Sequence, residues 1–132
     1  MTPKIQPSLK THPNERRCYR MTEVHILTLP ACCPISGNPR KGSFIEIQYS
    51  PEKRLLEVAS LRAYVDSYRG GRGDVRSMEG MIQQITQDCA NAVGVMVHVV
   101  ATLKIAPRQQ MKLECCALVT ATQPAKIDSP EA

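Results

Sequence analysis

The sequence predicts an α+β domain in which an antiparallel sheet carries its helices on one face. Three observations favour this class. Apolar and polar residues alternate with period two in segments early and late in the chain, which is typical of half-buried strands. Between them, Ser77 to Val93 has apolar residues at spacings of three and four, which is typical of an amphipathic helix. The order of strand, strand, helix, strand, strand fits an α+β fold with four strands.

The first predicted strand pair lies on either side of a turn at residues 50–53. From Phe44 to Tyr49, apolar and polar side chains alternate. Leu55 to Leu61 is predicted as the return strand. A short helix is expected from Ala63 to Arg69, because glycines follow it at positions 70, 71 and 73.

The long helix and the second strand pair follow. Ser77 or Asp74 can cap the start of the helix, and Gly94 can end it. Val95 to Ile105 alternates as a strand, and Met111 to Thr120 alternates as its partner after a proline-containing turn. A sheet this small leaves two edges unpaired, and edge-to-edge pairing of copies into a ring would remove them.

Composition bounds the domain and its partners. The 132 residues are the size of one domain, and a hydrophobic fraction of 42% with no Trp and one Phe predicts an aliphatic core. We predict the domain at residues 23–122, between a basic flexible arm at 1–22 and a flexible tail at 123–132. Most of the net charge of +5 lies in the arm, which suits either a solvated tail or attraction to a polyanion such as RNA.

Neither a membrane span nor a secretory signal is expected. No apolar run approaches the roughly 20 residues of a span, and the first 20 residues are polar and basic. Six cysteines without a signal favour reduced thiols and a cytoplasmic location.

The stretch Cys32 to Pro39 contains the best candidate for chemistry. It reads Cys-Cys-Pro-Ile-Ser-Gly-Asn-Pro and places Cys33 on a turn instead of inside an apolar run. A thiol in such a position serves as a nucleophile, a metal ligand or a redox centre. The nearby cations Arg40 and Lys41 would favour its thiolate. A vicinal disulfide with Cys32 is an alternative, although adjacent cysteines rarely reach good disulfide geometry.

No metal site is expected from the pattern of cysteines and histidines. Cys115 or Cys116 with His98 would be the candidate set for zinc. The sequence has no Cys-x-x-Cys pair, and adjacent residues of a strand point to opposite faces.

Two blocks of the sequence resemble a known enzyme family. Cys-Pro-x-Ser-Gly-x-Pro at residues 33–39 is similar to the nucleophile turn of the 7-cyano-7-deazaguanine reductases, which act in queuosine biosynthesis and thus in tRNA modification. Glu57 to Arg69 resembles the signature that follows this turn in the family. The resemblance covers Leu29 to Ala106. It implies a tunnelling fold, in which small α+β subunits join their sheets into a homo-oligomeric ring with active sites between subunits.

The resemblance implies a role for each matched residue. Cys33 would attack the nitrile carbon of 7-cyano-7-deazaguanine and form a thioimide, which NADPH would reduce to the aminomethyl product. Glu79 would accept two hydrogen bonds from the guanine-like edge, unless it serves only as a helix-dipole partner. The resemblance also places Leu56, Glu57 and Val58, with Met78 beside Glu79, at the substrate, and it places Ser60, Arg62 and Arg69 at NADPH. An ordinary strand is the alternative for Leu56 to Val58, and a solvated basic surface is the alternative for the two arginines.

The chain departs from the family pattern at four places. Arg40 replaces the proton-donating aspartate seven residues after the nucleophile, and a guanidinium is a poor proton donor. Ala59 replaces a lysine of the cofactor signature, and Met78 replaces the histidine that precedes the substrate glutamate. The loop between Arg69 and Glu79 is also a few residues longer.

Two further functions stay open beside reduction. A second branch of the family consists of amidinotransferases, which add ammonia to the same nitrile on tRNA to make archaeosine. The run Val65 to Gly70 is similar to that branch, and the basic arm would suit a tRNA substrate. The third function is a non-catalytic protein that traps the deazapurine, since the family's proton donor is replaced.

Overall fold

Strands and helices follow one another along residues 7–17 and 19–120, the part of the chain that this computed structural model describes. The strands are β1 (Thr11–Pro13), β2 (Glu23–Thr28), β3 (Arg40–Tyr49), β4 (Arg54–Leu56), β5 (Val97–Ile105) and β6 (Gln109–Ala117), and the helices are α1 (Val58–Asp66) and α2 (Met78–Val93). The expected tail at 123–132 lies outside the described residues, as do the first six residues of the expected arm.

An antiparallel sheet with the strand order β2-β3-β5-β6 forms the main layer of the fold. In its register, Ile47 of β3 stands opposite Val99 of β5, which stands opposite Cys115 of β6. Side chains on this face are apolar and largely buried, whereas those on the other face are exposed or half-buried. The predicted α+β class with a four-stranded antiparallel sheet is confirmed.

Both helices contribute to the core on the apolar face of the sheet. The helix α2 packs on β5 and β6 and has its predicted ends. The Ser77 hydroxyl accepts a hydrogen bond from the Gly80 N–H (3.0 Å), and Gly94 follows the helix with a φ of 79°. The buried side chains of α1 are Leu61, Tyr64 and Val65. Neither helix in the described ranges is long and apolar enough to cross a membrane.

The predicted return strand from Leu55 to Leu61 is wrong. The strand β4 ends at Leu56, and α1 begins at Val58, because the Glu57 carboxylate accepts hydrogen bonds from two N–H groups of the next turn. The predicted helix from Ala63 to Arg69 therefore starts five residues too late. The fourth strand of the main sheet is instead β2, which the sequence reading did not identify.

Part of the expected flexible arm is a strand. Thr11–Pro13 pair with β4 in a separate two-stranded sheet, and the Asn14 N–H donates to the carbonyl oxygen of Lys53 (2.9 Å). Residues 11–14 therefore lie against the domain, contrary to the expectation for this stretch. The division into arm, domain and tail stays a prediction.

Tyr49 joins three strands and gives a test of this arrangement. Its hydroxyl donates to the Glu23 carboxylate of β2 and accepts from the Leu56 N–H of β4 (2.8 Å). Burial, together with the hydrogen bond to Glu23, raises the pKa of Tyr49, so the hydroxyl stays neutral.

We expect Tyr49→Phe to lower the free energy of unfolding by about 1–3 kcal/mol, because it leaves the buried Leu56 N–H without an acceptor. Urea denaturation followed by circular dichroism measures the loss. The matched control is Tyr19→Phe, since Tyr19 is 69% exposed. Equal transition midpoints for the two variants would contradict a role for Tyr49 in joining the strands.

Candidate active site

A closed turn between β2 and β3 presents Cys33. The N–H groups of Cys32 and Cys33 both donate to the carbonyl oxygen of Asn38 (2.9 Å each), and the Gly37 N–H donates to the carbonyl oxygen of Cys33 (2.9 Å). Gly37 has a φ of 73°, a conformation that glycine adopts without steric cost. These hydrogen bonds close the turn, and within it the Ser36 N–H lies 3.4 Å from Cys33 Sγ.

The two adjacent cysteines have opposite environments. Hydrogen bonds from Ser36, first from its hydroxyl and then from its N–H group (3.4 Å to Cys33 Sγ), lower the pKa of Cys33. Burial raises the pKa of Cys32, and the neighbouring Cys33 adds to this rise. Both cysteines are free thiols in the structure, which therefore does not contain the alternative vicinal disulfide. Cys33 is thus the better nucleophile of the pair.

Arg40 braces the turn. Its Nη2 donates to the carbonyl oxygen of Ser36 (2.8 Å), and its Nε donates to Asn38 Oδ1 (3.3 Å). Arg40 thus holds the residue whose hydroxyl and N–H group stabilise the Cys33 thiolate. The sequence indicated only a general effect of nearby cations and did not identify Ser36. The sequence feature that could have identified Ser36 is its position three residues after Cys33, because a turn there brings the Ser36 N–H group back to the Cys33 side chain.

The turn lies beside the first turn of α2. Cys32 Sγ is 3.7 Å from the carbonyl oxygen of Ser77, and the Gly70 N–H donates to the carbonyl oxygen of Ala31 (2.9 Å). One residue after Ser77, Met78 is half-buried against the core, and the next residue, Glu79, is exposed. The structure thus brings the elements that carry Cys33, Met78 and Glu79 to one end of the fold.

The other predicted substrate residues lie at the opposite end of α1. Leu56 is buried in the core, Val58 is 69% exposed, and the Glu57 carboxylate accepts hydrogen bonds from the N–H groups of Ser60 (2.8 Å) and Ala59 (3.2 Å). These hydrogen bonds, with that from Ser60 the strongest, lower the pKa of Glu57. The nine residues of α1 span about 13 Å. This group therefore lies a helix length away from the segment after α1, whose Gly70 N–H donates to Ala31 beside the Cys33 turn.

The residues that would hold a dinucleotide are partly engaged within the chain. The Ser60 hydroxyl accepts from the Lys10 N–H (2.9 Å), and Arg62 pairs with Asp66 (2.6 Å) while donating to the carbonyl oxygen of Thr28 (2.7 Å). Arg69 is exposed. The exposed Arg69 can pair with a phosphate of a dinucleotide, whereas Arg62 would first release Asp66 and Ser60 would first release Lys10.

No group of three metal-ligating side chains occurs within residues 7–17 and 19–120. Cys115 pairs in register with Val99, and Cys116 pairs with His98. The two cysteines therefore lie on opposite faces of the sheet, and only Cys116 shares the face of His98.

The fold and the turn define an α+β domain that presents an activated cysteine beside a helix N-terminus. No protein-family model matches the chain. Curated relatives named NADPH-dependent 7-cyano-7-deazaguanine reductase do match. That of Acaryochloris marina is 38% identical over 88 residues, which are 64% of this chain and 57% of the relative. That of Prochlorococcus marinus strain MIT 9515 is 28% identical over 105 residues, 78% of this chain and 73% of the relative.

A relative from Synechocystis is 41% identical over 64 residues, which are 46% of this chain and 44% of the relative. The matched part thus spans between about half and three quarters of these relatives. The chain is related to the 7-cyano-7-deazaguanine reductases, and the family resemblance predicted from its motifs is confirmed.

We expect Ser36→Ala to raise the pKa of Cys33, because it removes the hydroxyl that contributes most to stabilising the thiolate. A lowered pKa keeps the thiolate populated at lower pH, so the substitution moves the midpoint of the pH–rate profile upward and slows alkylation several-fold at pH 7. Mass spectrometry of the iodoacetamide-treated protein gives the rate at each cysteine. Cys116 on β6 is the internal control, and an unchanged Cys33 profile would contradict the role of Ser36.

Proposed function

We propose that the chain is an oxidoreductase that reduces the nitrile of 7-cyano-7-deazaguanine through a thioimide on Cys33, in queuosine biosynthesis. The observation that carries the proposal is the Cys33 thiol, whose pKa is lowered on a turn beside the first turn of α2. The relationship to reductases of this name supports the choice of substrate and of NADPH.

The chemistry begins with addition of the Cys33 thiol across the nitrile. The thiolate sulfur forms a bond to the nitrile carbon, one π bond of the C≡N group breaks, and its electron pair passes to nitrogen. Nitrogen takes up one proton, equal to the one that the thiol lost, so the thioimide forms without a net change in protons. A guanidinium is a poor proton donor, so Arg40 can stabilise the developing negative charge but does not transfer the proton.

Glu79 recognises the base in this proposal. An exposed carboxylate in the first turn of α2 can accept two hydrogen bonds, from the N1–H group and the amino group of a guanine-like edge. Met78, beside it, offers an apolar contact. The base-recognising Glu79 on α2 and the nucleophile Cys33 on the β2–β3 turn would then lie on neighbouring elements of the same subunit.

Reduction of the nitrile to the aminomethyl group takes two hydrides, and two molecules of NADPH, bound in turn, would supply one each. Arg62 and Arg69 would hold the phosphates of NADPH, and the Ser60 hydroxyl would join them after Lys10 moves. Leu56, Glu57 and Val58 lie at the far end of α1, so we infer that they serve the site of a neighbouring subunit. This requires a homo-oligomer of tunnelling-fold subunits, in which active sites lie at the interfaces, and a cytoplasmic location suits the free thiols.

The main alternative is an amidinotransferase that adds ammonia to the same nitrile on tRNA. Arg40 favours it, because a cation close to the nucleophile suits a substrate that carries phosphates. Both functions require the Cys33 adduct, and they differ in the second reactant.

Incubation with 7-cyano-7-deazaguanine should add the mass of one substrate to the intact protein, and Cys33→Ala should abolish this gain because it removes the sulfur. Cys116→Ala is the matched control and should keep the gain. Disappearance of the adduct on addition of NADPH, with release of the aminomethyl product, supports reduction. An adduct that persists in Cys33→Ala rules out Cys33 as the nucleophile.

We expect Glu79→Gln to weaken substrate binding roughly 10- to 100-fold, because one ligand donor loses its acceptor on binding. Calorimetry in the Cys33→Ala background measures the noncovalent affinity alone. Asp74→Asn removes an acid from the preceding loop and should leave the affinity unchanged. Equal affinities for the two variants would return Glu79 to the role of a helix-dipole partner.

A further inference from the structure

Four cations line one concavity at the end of the main sheet. Arg40 and Lys41 come from the start of β3, Lys104 comes from the end of β5, and Arg108 comes from the hairpin between β5 and β6. The concavity has a volume of about 420 Å³ and no acidic residue in its lining. We call these four side chains and the space between them the basic basin.

The charges of the basic basin are not neutralised by the chain around it. Residues 24–45 contain no Asp or Glu, and neither do residues 89–113. The ion pairs within residues 7–17 and 19–120 involve none of the four basin cations. Like charges that converge on one concavity repel one another and create a positive potential, which an anion relieves.

The sheet holds the basic basin in place. Arg40 pairs in register with Lys104, and the register then shifts between Arg40 and Phe44. Within that shift Gly42 has a φ of 98°, and a Cβ at this position would lie 3.5 Å from Lys104 Cδ. The stem of Lys104 thus packs over a position that has no side chain, and this directs the two cations from neighbouring strands to one place.

Arg40 belongs both to the basic basin and to the Cys33 turn. Arg40 lines the concavity, and its Nη2 donates to the carbonyl oxygen of Ser36, whose own N–H donates to Cys33 Sγ. An anion in the basin therefore lies beside the arginine that supports the Cys33 turn.

We propose that the basic basin binds a phosphate group of a molecule that reacts at Cys33. Guanidinium and ammonium groups are the hydrogen-bond donors that proteins commonly use to bind phosphate. The lining of the basin contains no carboxylate that would compete with a phosphate for these donors. The proposal deepens the function proposed above, because it assigns a second binding group to the same site. The phosphate comes either from a dinucleotide or from an RNA backbone, and the two sources are separable by experiment.

The test uses the full chain and the double variant Lys104→Gln/Arg108→Gln, which keeps Arg40 and the turn intact. The control, Lys53→Gln/Arg16→Gln, removes two exposed cations outside the basin. Calorimetry with pyrophosphate, NADPH and a mixed-sequence RNA oligonucleotide gives the affinities. We expect the basin variant to bind pyrophosphate roughly tenfold or more weakly than the control does. Lys41→Gln/Arg108→Gln should show the same loss, which guards against misfolding of a single variant.

The outcomes separate the sources and the two proposals. A loss of affinity for NADPH with unchanged RNA binding assigns the basin to a dinucleotide phosphate, and the reverse assigns it to an RNA backbone. Affinities equal to those of the control for all three probes overturn the basin. Formation of the Cys33 adduct from the free base should be unchanged in Lys104→Gln/Arg108→Gln, which keeps both Arg40 and Lys41. If the wild-type protein forms no adduct while the basin variants bind phosphate more weakly than the control, the proposed function fails and the phosphate-binding role of the basin stands.

Discussion

The packing of α2 against β5 and β6 is the interaction on which the rest of the molecule depends. The chain has no Trp and one Phe, so aliphatic side chains supply most of the buried surface. Burying each such side chain contributes about 1.5–3 kcal/mol, and α2 alone presents a full face of them to the sheet. This packing fixes the position of α2 on the sheet. Its first turn is therefore held where the carbonyl oxygen of Ser77 lies 3.7 Å from Cys32 Sγ.

The difference between the two adjacent cysteines follows from this packing. Cys32 is fully buried, and its raised pKa keeps it a neutral thiol that anchors the turn. Cys33 lies on the turn beside Ser36, whose hydrogen bonds stabilise the negative charge of its thiolate and lower its pKa. Burial of Cys32 thus holds the turn in the conformation that lowers the pKa of Cys33. A nucleophile on a turn without such an anchor would lose the geometry that lowers its pKa.

Much of the fold was predictable because alternation and helical spacing report on burial. The alternating segments became β3, β5 and β6, and Ser77 capped α2 as predicted. Prediction failed at Leu55 to Leu61, where the Glu57 side chain captures two N–H groups and starts α1. It also failed to identify β2, whose exposed face carries Val24 and Ile26 at 46% and 66% exposure and so breaks the simple rule that apolar residues are buried.

The site was predictable only where its residues belong to a motif. Cys33 and Glu79 could be picked out by resemblance, but the bracing of the turn by Arg40 could not, because it depends on hydrogen bonds that sequence spacing does not encode. The Arg40 guanidinium donates to Ser36 and Asn38 and so supports the turn whose Ser36 N–H donates to Cys33 Sγ. A hydrogen bond to a thiolate favours its charged form. The turn therefore meets the requirement that the proposed nucleophilic attack places on it, and in that proposal the proton for the nitrile nitrogen comes from the thiol itself or from solvent.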